Sequence, residues 1–360
     1  MLVKYSGWLC LLFGFSFFYA CTSKNKKATP SSLNNNIPIW VKDPFYEHPY
    51  NTFTVEKARL GRYLFYDRRL SVNNTKACAS CHAQQFSFTD AYTKSIGAYG
   101  DLHLRNAKPL INLIFEKYLT AADSTLHFPE QQMVGPMYNQ HPIEMGWQGN
   151  ETLILQRLQN DELYHSLFAK AYPKQPNPYT VENVQWAIAT FIKTIFSFNA
   201  PYDKYLSKID TMALTPTQKK GMQLFFSKKL NCAKCHHGIN FTSSNYYISP
   251  HTAITIDSGL YRATHQPIDI GKFKPPTLRN LVFTAPYLYN GTAATLEEVL
   301  LHYEKDIQGK MKTEKLVLDK AFKLTSQERS QLVAFLLSLS DSSVLINSNY
   351  ANPFSIDETN

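Results

Sequence analysis

Gly61-Arg-Tyr-Leu-Phe-Tyr-Asp-Arg-Arg-Leu70, followed shortly by Cys78-Ala-Ser-Cys81-His82, decides the reading of this chain because both pieces recur. Gly221-Met-Gln-Leu-Phe-Phe-Ser-Lys-Lys-Leu230 precedes Cys232-Ala-Lys-Cys235-His236. The shared lead-in is Gly-x-x-Leu-Phe-aromatic-x-basic-basic-Leu, and a Phe-Thr pair follows each cysteine motif, at Phe88-Thr89 and Phe241-Thr242. Cys-x-x-Cys-His is the attachment signature of c-type haem. The thiols form thioethers to the porphyrin, and the adjacent imidazole becomes the proximal iron ligand. Two copies on related lead-ins point to two covalently bound haem c groups. Cys78, Cys81, Cys232 and Cys235 attach them, and His82 and His236 ligate the irons.

Zinc also binds paired Cys-x-x-Cys, but it does not require a histidine directly after each second cysteine. Of the six cysteines only Cys10 and Cys21 remain, both near the N-terminus, so no disulfide framework is left to build.

Lys4 precedes an apolar run from Trp8 to Tyr19 that meets Ala20-Cys21. The run is too short to span a bilayer and fits a secretory signal peptide over residues 1–20. A small residue before Cys21 resembles a bacterial lipobox, in which Cys21 is lipidated; cleavage one residue away without lipidation is the alternative. Residues 21–45, rich in Ser, Asn, Lys and Pro at their start, read as a flexible tether. This predicts a periplasm-facing protein of the bacterial cell envelope, held to membrane only through that lipid. Export agrees with the haem motifs, since c-type haem is attached outside the cytoplasm.

With 360 residues, 44% of them hydrophobic and 14% aromatic, the chain can bury a sizeable core. The spacing predicts an N-terminal haem domain over 46–200, a C-terminal haem domain over 201–342 and a tail over 343–360, with a hinge at Ser197 to Pro201. Both lead-ins have the apolar spacing of amphipathic helices. Thr215-Pro216-Thr217-Gln218, Thr295-Leu-Glu-Glu298 and Thr325-Ser-Gln-Glu328 are capping boxes that open helices, and Val181 to Phe198 reads as one long buried helix. The fold class expected is all-α: two cytochrome c-like units from an internal duplication. The net charge of +9 is reduced by haem propionates, and no basic run is interleaved with aromatics in the manner of a nucleic-acid surface.

Further markers stand in order between Tyr50 and Leu339: Arg105-Asn106, Gln132 followed by Pro136, and His141-Pro-Ile-Glu144-Met145-Gly146. The second half adds Gly271-Lys-Phe-Lys-Pro-Pro-Thr-Leu-Arg279-Asn280, Thr284-Ala-Pro-Tyr287 and Gly291 to Leu296. On these the chain resembles the bacterial di-haem cytochrome c peroxidase superfamily, and within it the MauG-like and MbnH-like branch. The resemblance implies that the N-terminal haem reacts with hydrogen peroxide and the C-terminal haem relays electrons. The histidine that caps the first iron in the peroxidases falls at Ala98 here, and nearby His103 reads as a hydrogen-bonded loop histidine. The first haem is therefore expected to be open at rest. Tyr303 falls at the second haem's distal position, where peroxidases have Met and MauG-like proteins Tyr. A phenolate favours ferric and higher iron states.

The resemblance further implies Glu144 as the acid/base for O–O cleavage and Gln132 as a distal-pocket donor to peroxide. It also implies a calcium ion held by the Asn106 side chain and the carbonyls of Thr284 and Pro286. One marker is missing: the family's inter-haem Trp is absent from Leu119-Thr120-Ala121-Ala122-Asp123, leaving Tyr118 and Trp147 as aromatic candidates. Three functions follow: MauG-like oxidation of a partner protein; reduction of peroxide to water with electrons from a small cytochrome or cupredoxin; and non-catalytic electron carriage.

Overall fold

Each haem motif is introduced by a helix that begins and ends for local reasons. The helix Val55–Tyr66 starts at Thr54, whose hydroxyl accepts from Lys57 N at 3.1 Å, and stops where Asp67 turns extended and accepts from Arg69 N. Leu60, Gly61, Tyr63, Leu64 and Phe65 form its buried face. Its counterpart Pro216–Phe225 opens with the expected Thr215–Gln218 capping box. These are described by a computed structural model covering residues 33, 37–248, 257–310 and 322–355. The signal peptide, the Cys21 lipidation site and most of the first half of the tether lie outside the described residues.

Each of these helices crosses a later one at its glycine. A Cβ on Gly61 would stand 1.8 Å from the Ala187 carbonyl of helix Val181–Ile192, and one on Gly221 would stand 1.9 Å from the Gln331 carbonyl of helix Ser326–Leu337. No side chain fits between such backbones, so the repeated glycine is a packing requirement. Two apolar cores grow from the crossings. One gathers Leu60, Phe65, Phe88, Trp147, Phe168 and Phe191; the other gathers Tyr202, Phe225, Phe241, Phe335 and Leu336. The described residues belong to one compact unit. The fold is helical, with a single two-residue antiparallel pair among the described residues, Tyr247–Ile248 against Lys272–Phe273.

One expectation is corrected. The helix expected to reach Phe198 ends at Ile192. Beyond it Ser197 N donates to Asn112 Oδ1 at 2.8 Å and Ser197 O accepts from Asn112 Nδ2 at 3.0 Å, which takes the main-chain groups a helix would need. Ser197, in the stretch expected to be a hinge, is fully buried. The described part of the tail also packs down, with Val344 and Tyr350 in the first core and Arg62 Nε donating to Ala351 O at 2.7 Å.

Gly61→Ala and Gly221→Ala should each destabilise the protein by about 1–3 kcal/mol through overpacking, although alanine is the better helix former. Chemical denaturation of both variants checks this; unchanged midpoints would contradict the close crossing.

Candidate haem sites

After each helix the chain makes a short 3-10 turn, Cys78–Ser80 or Cys232–Lys234, that sets both cysteines and the histidine on one loop. The loop closes at a phenylalanine in the left-handed region, Phe88 (φ 61) or Phe241 (φ 49). Its carbonyl faces the imidazole: His82 Nδ1 lies 2.9 Å from Phe88 O, and His236 Nδ1 lies 3.0 Å from Phe241 O. A carbonyl only accepts, so Nδ1 carries the hydrogen and Nε2 keeps its lone pair for a metal. Burial lowers the basicity of both rings, His236 to about 4, so each stays neutral, the form that ligates. Burial likewise pushes the Cys78 and Cys232 thiols up to about 12, and Cys81 and Cys235 up to about 11. All four are free. A neutral imidazole beside two unpaired thiols fits thioether attachment and axial ligation of a haem at each loop.

Glu144 belongs to the first site. Its charge is felt by both Cys78 and Cys81, and burial pushes its carboxyl up to about 7, against a hydrogen bond from Asn139. The segment that carries it is tied at Met145 N to Pro136 O and at Trp147 N to Met137 O. This returns Glu144 beside the helix Val134–Tyr138, just after half-buried Gln132. Ala98 N donates to the carbonyls of Ile143 and Glu144, so Ala98, where a capping histidine was looked for, is a buried methyl against the Ile143–Glu144 segment. His103 returns to the same pocket, its Nδ1 3.8 Å from Glu144 Oε1. It differs from the hydrogen-bonded loop histidine expected, because its Nε2 is buried without a partner. His103 is also close enough to His82 to lower its basicity.

Tyr303 belongs to the second site. It lies on the helix Leu296–Lys310, opened by the Thr295–Glu298 capping box. Burial, then the nearby Cys235 and Cys232, push its hydroxyl well above the usual tyrosine range. The adjacent Glu304 fixes the helix by accepting from Leu324 N and from Arg329. Asn106 N donates to Tyr289 O at 2.7 Å and Asn106 Nδ2 to Tyr92 O at 2.8 Å, which brings Asn106 to the turn that follows Thr284 and Pro286. Trp147 is buried in the first core with Nε1 donating to Leu70 O at 2.7 Å. Tyr118 meets Tyr246 of the second half, ring centroids 5.9 Å apart.

The comparisons divide the chain as the loops do. Residues 55–211 match the family described as di-haem cytochrome c peroxidase, and residues 218–340 match cytochrome c. A cytochrome-c peroxidase, IdrP1, of Pseudomonas sp. (strain SCT) is 30% identical over 91% of this chain and 92% of its own length. The methylamine utilization protein MauG of Methylorubrum extorquens is 32% identical over 81% of this chain and 80% of its own. A solved MauG-like protein associated with microbial copper homeostasis superposes with a TM-score of 0.82 at 34% identity, covering 88% of this chain and 98% of that one. The chain belongs to the di-haem cytochrome c peroxidase family. It is a di-haem oxidoreductase with two c-type haems expected, one in each cytochrome c-type domain.

Within this family chain, sequence reading missed two groups. Lys108-Pro-Leu-Ile-Asn112-Leu-Ile-Phe115 and Pro276-Thr-Leu-Arg-Asn280-Leu-Val-Phe283 are a further related pair of stretches. In both the asparagine is left-handed (φ 54 and 63) and opens a 3-10 turn, and the carbonyl of Lys108 or Pro276 also reaches the proximal imidazole. The repeated Asn-Leu-aliphatic-Phe was the available signal. The other group is a buried cation–anion–cation cluster: Lys108 and Lys274 both donate to Glu116 Oε2, at 2.5 and 2.8 Å. Burial pushes the Glu116 carboxyl up, and the two ammonium groups outweigh it and hold it below its ordinary value. Lys274 N also donates to Ala121 O.

Proposed function

We propose that this di-haem enzyme uses hydrogen peroxide at the N-terminal haem, held by Cys78, Cys81 and His82. It draws electrons through the C-terminal haem, held by Cys232, Cys235, His236 and Tyr303, to oxidise residues of a partner protein. Burial of the Tyr303 hydroxyl against the second cysteine pair carries this reading. When bound, the haem supplies the redox chemistry of O–O cleavage. The protein supplies Glu144, whose carboxylate accepts a proton from peroxide and returns it to the departing oxygen, and Gln132 as a donor that orients peroxide. We also propose calcium at Asn106, Thr284 and Pro286, whose oxygen donors suit a hard cation. The leader, the tether and Cys21 support export to the periplasm and a lipid anchor. Among the described residues no helix is long and apolar enough to cross a membrane.

The absence of a tryptophan from Leu119-Thr120-Ala121-Ala122-Asp123, and the peroxidases among the relatives, favour a second reading: reduction of peroxide to water with electrons from a small redox protein. Steady-state turnover separates them. Partner oxidation predicts slow peroxide consumption with a reduced small cytochrome as donor; rapid turnover would establish the peroxidase reading instead.

Since Glu144 must be ionised to accept a proton and its carboxyl is raised to about 7, the rate of reaction with peroxide should fall as pH drops below about 7. Glu144→Gln should slow that reaction about 10²–10⁴-fold and abolish this limb, as stopped-flow pH profiles would reveal; a retained limb assigns it elsewhere. Tyr303→Phe should change the spectrum and potential of one haem and leave the other untouched. An unaltered spectrum means another residue ligates. Finally, His103→Ala should leave the resting ferric electron paramagnetic resonance spectrum with its high-spin component intact. A new high-spin signal on mutation would identify His103 as a ligand closing the first iron.

A further inference from the structure

Five fully or almost fully buried polar side chains run from one proximal loop to the other. Ser87, Asn280, Ser197 and Asn112 are 0% exposed and Asn240 is 3% exposed. Asn280 Nδ2 donates to Ser87 Oγ at 2.7 Å, and Ser197 Oγ donates to Asn280 Oδ1 at 3.1 Å. Ser197 is paired through both main-chain groups with the Asn112 amide, and Asn240 Nδ2 donates to Asn112 O at 3.0 Å. The ends are informative. Ser87 immediately precedes Phe88, whose carbonyl receives His82, and Asn240 immediately precedes Phe241, whose carbonyl receives His236.

The middle is built on equivalent asparagines. Asn112 N donates to Ile195 O and Asn280 N to Leu339 O, the carbonyls that follow the two crossing helices. Asn112 Oδ1 accepts from Ser197 N and Asn280 Oδ1 from Asp341 N, two residues further in each case. Each asparagine therefore secures its own half and also reaches across: Asn280 to the first proximal loop, Asn112 to the second. Fold stapling needs only the first of these functions. A continuous buried network in low dielectric has few alternative arrangements, so moving one member displaces the rest.

We propose that Ser87, Asn280, Ser197, Asn112 and Asn240 form a strap that couples the two proximal histidines. These are positioning residues. They set the carbonyls that orient and polarise each imidazole, the partners through which a protein tunes a ligated metal. The strap links the two loops in a chain that carries no tryptophan in Leu119-Thr120-Ala121-Ala122-Asp123. The inference rests on both loops carrying haem, so haem content is measured first, which separates failure of that reading from failure of the strap.

The test uses the holoprotein. Ser197→Ala deletes one hydroxyl and keeps both main-chain bonds to Asn112; Ser87→Ala cuts the strap at the first loop; Asn280→Asp keeps the volume and loses the donor to Ser87. Electron paramagnetic resonance and potentiometric titration are read for both haems. The strap predicts that Ser87→Ala shifts the signal and midpoint of the second haem as well as the first, and that Ser197→Ala and Asn280→Asp alter both. Thr190→Ala, which removes a buried hydroxyl bonded to Trp186 O and Asn51, should lower the melting temperature and leave both haem signals in place. A Ser87→Ala effect confined to the first haem, or lower melting temperatures in Ser197→Ala and Asn280→Asp without spectroscopic change, would overturn the coupling.

Discussion

The hydrogen bond from a proximal imidazole to the carbonyl of a left-handed phenylalanine governs both halves of this protein. Phe88 and Phe241 hold a conformation that costs a non-glycine residue about 1–2 kcal/mol, and the surrounding structure maintains it. The Ala83–Thr89 and His237–Thr242 bridges close the two loops behind it. Glycine crossings then set the helices that enter and leave each domain, and the asparagine turns bring a second carbonyl to each ring. The outcome is a neutral imidazole with one nitrogen committed and the other available, presented twice.

Burial then separates the roles of the two sites. Glu144 and Tyr303 are both raised by desolvation, with different consequences. Burial of Glu144 in its pocket puts its carboxyl at about 7, where a carboxyl can exchange protons under physiological conditions. The Tyr303 phenol holds its proton throughout the ordinary range in the bare chain, and metal binding is what displaces such a proton. One site is suited to moving protons and the other to anchoring a cation, in line with the division proposed above between peroxide chemistry and electron supply.

What was legible in the sequence was local. The cysteine motifs, the repeated glycine and the three capping boxes each act within a turn or two, and a single sequence carries them in full. What was not legible depended on residues far apart. Nothing near Trp147 in sequence reveals its bond to Leu70. The 181–192 helix ends early because of Asn112, far upstream. His103 could be seen to lie near the first site, but only the folded packing shows its Nε2 buried without a partner. Tyr303 shows the intermediate case: its position came from resemblance, and only packing brought it to Cys232 and Cys235.

The account stands on covalent haem at both loops. Mass spectrometry of peptides from the protein matured in a host with a c-type haem attachment system tests this directly. The prediction is two modified peptides, one joined to haem through Cys78 and Cys81 and the other through Cys232 and Cys235. Recovery of either cysteine pair unmodified from protein that is otherwise haem-loaded would contradict it.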